Sequence, residues 1–192
     1  MEKLFQFLIE LDQLKSIERR SLISDGSRRE NSAEHSWHLA LGLLALKQEL
    51  NPAIDFYKAI KMALVHDICE IGAGDVSIFD PDRHLKQQQE RDYLEQLTQH
   101  GNGFALEIQL LWEEYEAQQS AESHWVKVLD RLLPFMLNIQ TEGRVWREQG
   151  IKKSQVLKIN EGTRQTAPQV FDWMQQKIRL AVEQGWLIDD GN

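Results

Sequence analysis

The stretch KAIKMALVHDICEIGAGD, residues 58–75, decides how the rest of the chain is read. Ile60, Met62, Ala63, Leu64, Val65, Ile68 and Cys69 make it almost continuously apolar, the pattern of a helix buried on most sides. Three ionisable residues nevertheless stand near its end: His66, Asp67 and Glu70. Burying a charge without a partner costs several kcal/mol or forces a pKa shift. An imidazole beside a carboxylate in such a place points to a shared cation, whose other ligands must come from elsewhere in the chain.

The pattern predicts one helix over residues 53–71, stopped by Gly72-Ala73-Gly74-Asp75 and followed by a loop containing Asp80-Pro81. On its N-terminal side, Asn51-Pro52 ends a helix spanning 32–50, with Ser32 as the expected cap. The apolar stripe of that helix, Leu39, Leu43 and Leu46, continues back four residues to His35, on a face where leucine would be ordinary. His38 lies near the same face, and either histidine alone is most simply a core residue hydrogen-bonded to backbone. A further helix, 121–138, carries Trp125, Leu129, Leu132, Leu133 and Met136 as its stripe. Asp130 stands on its apolar side, four after Val126, three before Leu133 and seven before Leu137. A buried aspartate needs a base, several donors or a metal.

His35, His66, Asp67 and Asp130 thus form a set of two imidazoles and two carboxylates. That set suits one divalent ion, Mn²⁺, Co²⁺, Fe²⁺, Ni²⁺ or Zn²⁺, with positions open to water. A salt-bridged polar core without metal is the alternative. It leaves unexplained why ionisable groups cluster on faces that otherwise bury leucine.

The remaining segments read as supporting structure. Residues 2–16 form an amphipathic helix through Leu4, Phe5, Leu8, Leu11 and Leu14. Residues 17–32 hold Arg19, Arg20, Arg28 and Arg29 around an Asp25-Gly26 turn and read as a solvated loop. A polar helix over 83–99, with a thin stripe at Leu85, Tyr93, Leu94 and Leu97, reads as peripheral. After a turn at 100–103 comes an amphipathic helix over 104–118. Residues 140–153 read as a polar connection that puts Trp146 at a lip or interface. The last helix, 168–184, places Val170, Phe171, Met174, Ile178 and Ala181 inward. No strand pattern, internal repeat or linker interrupts this order. The expected class is all-α, one domain over residues 1–192, with six or seven main helices.

Composition bounds the function. The chain has 192 residues and a net charge of -8, which disfavours non-specific binding to nucleic acid or anionic membranes, although a local basic pocket can still hold one phosphate. The single cysteine, Cys69, rules out an intrachain disulfide framework. The N-terminus has acidic residues among its apolar ones, unlike a signal peptide, and no apolar run is long enough to cross a bilayer. A cytoplasmic protein is expected.

The order H…HD…D resembles the HD-domain superfamily of metal-dependent phosphohydrolases. Glu30-Asn31-Ser32-Ala33-Glu34-His35-Ser36 is similar to the E-N-x-x-E-H-S motif of the branch containing bacterial 5'-deoxynucleotidases and HD domain-containing protein 2. His66-Asp67-Ile68-Cys69-Glu70 with Gly74-Asp75 resembles that branch's H-D-x-x-E-x-x-x-G-D, and Val126-Lys127 before Asp130 its V-K-x-x-D. The resemblance covers residues 5–140 and leaves a C-terminal helical extension. It implies an HD-type helical bundle in which His35, His66, Asp67 and Asp130 hold one divalent ion. It further implies removal of the 5'-phosphate from deoxyribonucleoside monophosphates, with Glu70 as the catalytic carboxylate and Asp67 sharing in the chemistry. Asp75 would face the sugar, and an arginine before the first motif, Arg20 or else Arg19, would bind phosphate, with Arg28 just before the motif. The branch has Trp after its phosphate-binding arginine, whereas Ser21 follows Arg20 here. Another nucleotide or phosphorylated metabolite, a pyrophosphate or phosphodiester bond, or a non-catalytic nucleotide-binding role remain the alternatives. Relatives of this type are commonly dimeric, so a homodimer is expected, and six Trp residues allow an aromatic interface.

Overall fold

The computed structural model describes residues 1–191 apart from 51–52, 78, 80–82 and 102, and omits the side chains of 83–85. The expected stop at Asn51-Pro52, the Asp80-Pro81 part of the loop, Asn102 and the Leu85 side chain lie outside the described residues. The chain begins with helix Glu2–Asp12 (α1) and a 3-10 turn, Gln13–Ser16. Strands Glu18–Leu22 (β1) and Arg29–Asn31 (β2) follow. Then come helices Ser32–Leu50 (α2), Phe56–Val65 (α3), Glu70–Ala73 (α4), Arg83–Thr98 (α5), Gly103–Ala117 (α6) and Ala121–Gln140 (α7). Arg144–Gln149 (α8), Lys153–Ile159 (α9), Glu161–Thr166 (α10) and Pro168–Glu183 (α11) complete the chain. The fold is an all-α helical bundle, with one small two-stranded sheet among the described residues.

Two compact units are present: residues 1–19 with 30–126, and residues 20–29 with 127–192. In the first, α3 packs against α2 and α6, and α5 against α4 and α6. Leu39, Leu43, Met62, Ile108 and Trp112 fill this core. In the second, α9, α10 and α11 pack together, with Phe171, Met174, Ile178 and Ala181 of α11 buried as the stripe predicts.

Several expectations are corrected. The helix expected over 53–71 ends at Val65, and His66–Cys69 form a turn before the short α4. Ile68 N bonds Val65 O and Glu70 N bonds Asp67 O, so the backbone tightens to i→i−3 bonding just where the ionisable residues stand. The 17–32 segment is a hairpin rather than a loop. The bonds Ser32 N–Ile17 O and Ile23 N–Arg28 O fix its register, and strand alternation turns Arg19 inward and Arg20 outward. Ser32 does not cap α2. Asn31 does, its Oδ1 accepting from Glu34 N (2.9 Å) while Glu34 Oε2 accepts from Asn31 N (3.1 Å), a reciprocal capping box.

The first helix buries Phe7 and leaves Leu4, Phe5 and Leu8 exposed, and Met136 of α7 is exposed too. Trp146 is not at a lip. It is buried on α8, with its ring centroid 5.5 Å from that of Phe135. Nor is α5 peripheral: Lys86, Leu94 and Leu97 are all buried.

Gly72 is a packing residue as well as part of a helix end. A Cβ there would sit 2.5 Å from Tyr93 Cδ2 and 2.6 Å from Tyr93 Cβ. The Tyr93 Cβ cannot swing away without moving α5, so α4 approaches α5 closely only because residue 72 lacks a side chain. Gly72→Ala is expected to destabilise the protein by about 1–3 kcal/mol, seen as a lower midpoint in chemical denaturation. An unchanged midpoint would contradict this packing.

Candidate metal centre

The turn after α3 delivers His66 in a defined tautomer. His66 Nδ1 lies 2.9 Å from Ala63 O, and a carbonyl can only accept, so Nδ1 carries the proton and Nε2 presents its lone pair. Asp67 Oδ1 is 3.1 Å from that Nε2. Two acceptors at this separation repel unless a proton or a cation lies with them. The His35 ring centroid is 5.5 Å from that of His66, and His35 is fully buried. His35, His66 and Asp130 each offer one ligand atom, and these atoms all lie within 4.8 Å of one another. Two imidazoles and a carboxylate are a donor set for one divalent transition ion, and a backbone-anchored Nδ1–H is the usual support of a ligating imidazole. The residues present therefore fit the metal that the sequence pattern predicts.

Around this group stands a second layer of charge. Arg19 Nη1 donates to Asp67 Oδ2 at 2.6 Å, and Arg19 Nε lies 3.6 Å from Glu30 Oε2. The same Glu30 oxygen is 3.8 Å from His35 Nδ1, so the buried Glu30 stands between the arginine and the imidazole. Lys127 Nζ approaches Asp130 Oδ2 at 3.5 Å, one turn before it on α7, the partnership their spacing suggests.

Glu70 is buried, with both carboxyl oxygens engaged. Oε2 accepts from the Ser32 hydroxyl at 2.6 Å, and Oε1 from Lys86 Nζ at 3.2 Å. Burial, reinforced by the nearby Asp67, pushes its carboxyl from 4.5 up to about 8, although Arg19 and Lys86 pull the other way. Asp75 follows Gly74, whose φ of 72° turns the chain out of α4, and its charge is felt at both Glu70 and Lys86. The Arg20 and Arg28 side chains are exposed. Arg28 Nη1 donates to Arg29 O at 3.0 Å. Arg19 is paired with Asp67 of the HD motif.

From sequence Lys86 has no assigned role, Ser32 reads only as a cap, and Glu30 only as the first residue of the E-N-x-x-E-H-S motif. Lys86 had a readable signal: Lys86, Glu90, Leu94 and Leu97 share one α5 face, so a lysine and a glutamate continue a buried leucine stripe. For Ser32, nothing in the sequence distinguishes a Glu70 donor from a cap.

Two buried imidazoles and the partly exposed Asp130, with a buried carboxylic acid, Glu70, three residues after Asp67, have the make-up of a metal-dependent hydrolase site. Comparison with known proteins agrees. The sequence profile of the HD domain matches residues 11–171, and the chain belongs to that family. It is 34% identical over 131 residues to 5'-deoxynucleotidase HDDC2 of Bos taurus, covering 67% of this chain and 62% of that protein. It is 32% identical over 139 residues to 5'-deoxynucleotidase HDDC2 of Dictyostelium discoideum, covering 68% of this chain and 73% of the relative. The chain thus spans less than two thirds of the bovine relative's length. A crystal structure of a predicted metal-dependent phosphohydrolase from Magnetospirillum magnetotacticum superposes with a TM-score of 0.89 at 35% identity, over 97% of this chain and 94% of that one.

The Glu70 carboxyl gives a pH test in metal-free protein. Its folded-state value is raised, so the folded chain keeps this proton up to about pH 8 while the unfolded chain releases it near 4.5. The stability Glu70 contributes is then full below pH 4.5 and lost as pH rises towards 8. Denaturant midpoints of chelator-treated protein should fall more from pH 5 to pH 8.5 than those of Glu70→Gln. Equal falls would contradict the raised value.

Proposed function

We propose that this chain is a divalent-metal-dependent phosphomonoester hydrolase that releases the 5'-phosphate of deoxyribonucleoside monophosphates. The observation that carries the reading is the grouping of His35, His66 and Asp130, together with the buried Glu70 carboxyl, held on both oxygens and close enough to Asp67 to feel its charge. The HDDC2 proteins named above, called 5'-deoxynucleotidases, support the substrate class.

When bound, a divalent cation polarises a phosphoryl oxygen and makes water a better nucleophile. His35, His66 and Asp130 would hold it, and we assign Asp67 as a further ligand, since its Oδ1 faces the same Nε2 lone pair. Asp67 Oδ2 meanwhile fixes Arg19. We assign the phosphate contact to Arg19 rather than to Arg20 or Arg28, because its guanidinium already reaches the HD motif and carries donors suited to a phosphate. Glu70, raised to about 8, holds a proton near neutral pH that it can give to the departing 5'-oxygen, and its anion can take one from water. Asp75, beyond the Gly74 turn, is assigned to the sugar.

The substrate is a small molecule, with neither nucleic acid nor membrane as partner. Among the described residues no helix is long and apolar enough to cross a membrane. With Cys69 buried and outside any disulfide, the cytoplasm suits the chain.

Neither Arg19 nor Arg20 is followed by Trp, which favours a wider substrate choice than the deoxynucleotidase motif implies. Purified protein should therefore be assayed with Mn²⁺, Co²⁺ or Mg²⁺ against deoxy- and ribonucleoside monophosphates, a cyclic nucleotide and a nucleoside triphosphate. Phosphate release from the deoxynucleoside monophosphates is expected, with loss of both metal content and turnover in Asp130→Asn. No release from any monophosphate, or full metal content and turnover in Asp130→Asn, would overturn the reading.

We also assign a second copy of the chain as partner. Trp37, Leu41 and Leu44 form an exposed apolar stripe along α2, and Leu4, Phe5, Leu8 and Ile9 are exposed on α1. Light scattering should give twice the 22.4 kDa chain mass, and a monomer at assay concentration would refute this assignment.

A further inference from the structure

Lys86 is one of the few lysines a protein keeps almost wholly from solvent, with a side chain only 7% exposed. Its ammonium sits 3.2 Å from Glu70 Oε1 and 3.2 Å from Glu90 Oε1. Burial pulls the lysine pKa down, but Glu70 and Glu90 more than offset this and hold it above the ordinary value, so it stays charged. The Ser32 hydroxyl grips the other Glu70 oxygen. With Ser32 on one oxygen and Lys86 on the other, the carboxyl plane cannot turn about its bond to the side chain. Glu90 holds the lysine from behind, one helical turn further along α5.

A buried ion pair is a poor way merely to fasten α5 to α4, because apolar groups of the same volume usually serve as well or better. The adjoining positions of this face, Leu94 and Leu97, already supply that kind of packing. A charged lysine on this face therefore points to a task that leucine cannot perform. We propose that Lys86 is a positioning residue of the hydrolytic reaction, fixing the Glu70 carboxyl in the orientation from which it exchanges a proton with water and the leaving oxygen. This inference builds on the proposed hydrolase function, in which Glu70 is the proton-exchanging group.

The test compares Lys86→Met, Lys86→Arg and Glu70→Gln in metal-loaded full-length protein, with kcat, KM and bound metal measured for each on the best monophosphate substrate. Lys86→Met keeps the length and apolar stem of the side chain. It is expected to lower kcat about tenfold or more, with KM within about threefold and metal content unchanged. Lys86→Arg, which keeps the charge, should recover part of the loss. Wild-type kcat in Lys86→Met, or loss of metal in proportion to kcat, overturns the inference while leaving the hydrolase reading standing. Wild-type kcat in Glu70→Gln overturns the reading itself and the inference with it. Should Lys86→Met not fold, Glu90→Gln loosens the same ammonium from its second partner. It should lower kcat severalfold at constant KM, and an unchanged kcat there also overturns the inference.

Discussion

Two electron-rich atoms face each other 3.1 Å apart in the buried turn after α3: Nε2 of His66 and Oδ1 of Asp67. The Ala63 carbonyl fixes the imidazole proton on the far side of the ring, so local geometry directs a lone pair at a carboxylate. That arrangement is stable only if positive charge is shared between them. Much of the surrounding structure supplies or balances such charge: Arg19 on the outer oxygen of Asp67, Glu30 between Arg19 and His35, and Lys86 on Glu70. A divalent cation on His35, His66 and Asp130 completes the balance with charge the side chains do not provide.

The backbone is arranged to make that cluster. The regular helix ends at Val65, and the next residues tighten to i→i−3 bonds. With three residues per turn, Asp67 and Glu70 fall on the same side of that turn. Ser32 gives up capping α2 to bind Glu70, and Asn31 with Glu34 takes over the cap. Gly72 lets α5 come close enough to α4 for Lys86 to reach the same carboxyl. Local sequence choices that look arbitrary singly are consistent once the Glu70 carboxyl is taken as their common target.

The sequence made the helical elements and the metal-binding residues legible for one reason. His35 and Asp130 each interrupt a leucine stripe, and periodicity exposes such an interruption directly. The hairpin was hidden because β1 and β2 are short and rich in arginine, with no apolar alternation to reveal them. The break at Val65 was hidden for the opposite reason: the residues beyond it, Ile68 and Cys69, are as apolar as those before it. Choosing among Arg19, Arg20 and Arg28 required knowing that residues 18–22 form a strand, since only the two-residue alternation sends Arg19 to Asp67 and Arg20 to solvent. Lys86 is harder to read than His35 or Asp130, because a polar helix masks a buried charged pair far better than a leucine helix does.

The central claim is that this cluster is assembled around one cation. Anomalous diffraction from crystals grown with Mn²⁺, recorded on and off the manganese edge, tests it most directly. The predicted result is one strong peak about 2.0–2.3 Å from His66 Nε2, with a nitrogen of His35 and an oxygen of Asp130 at similar distance. A peak elsewhere, or no peak in crystals saturated with the ion, would contradict it.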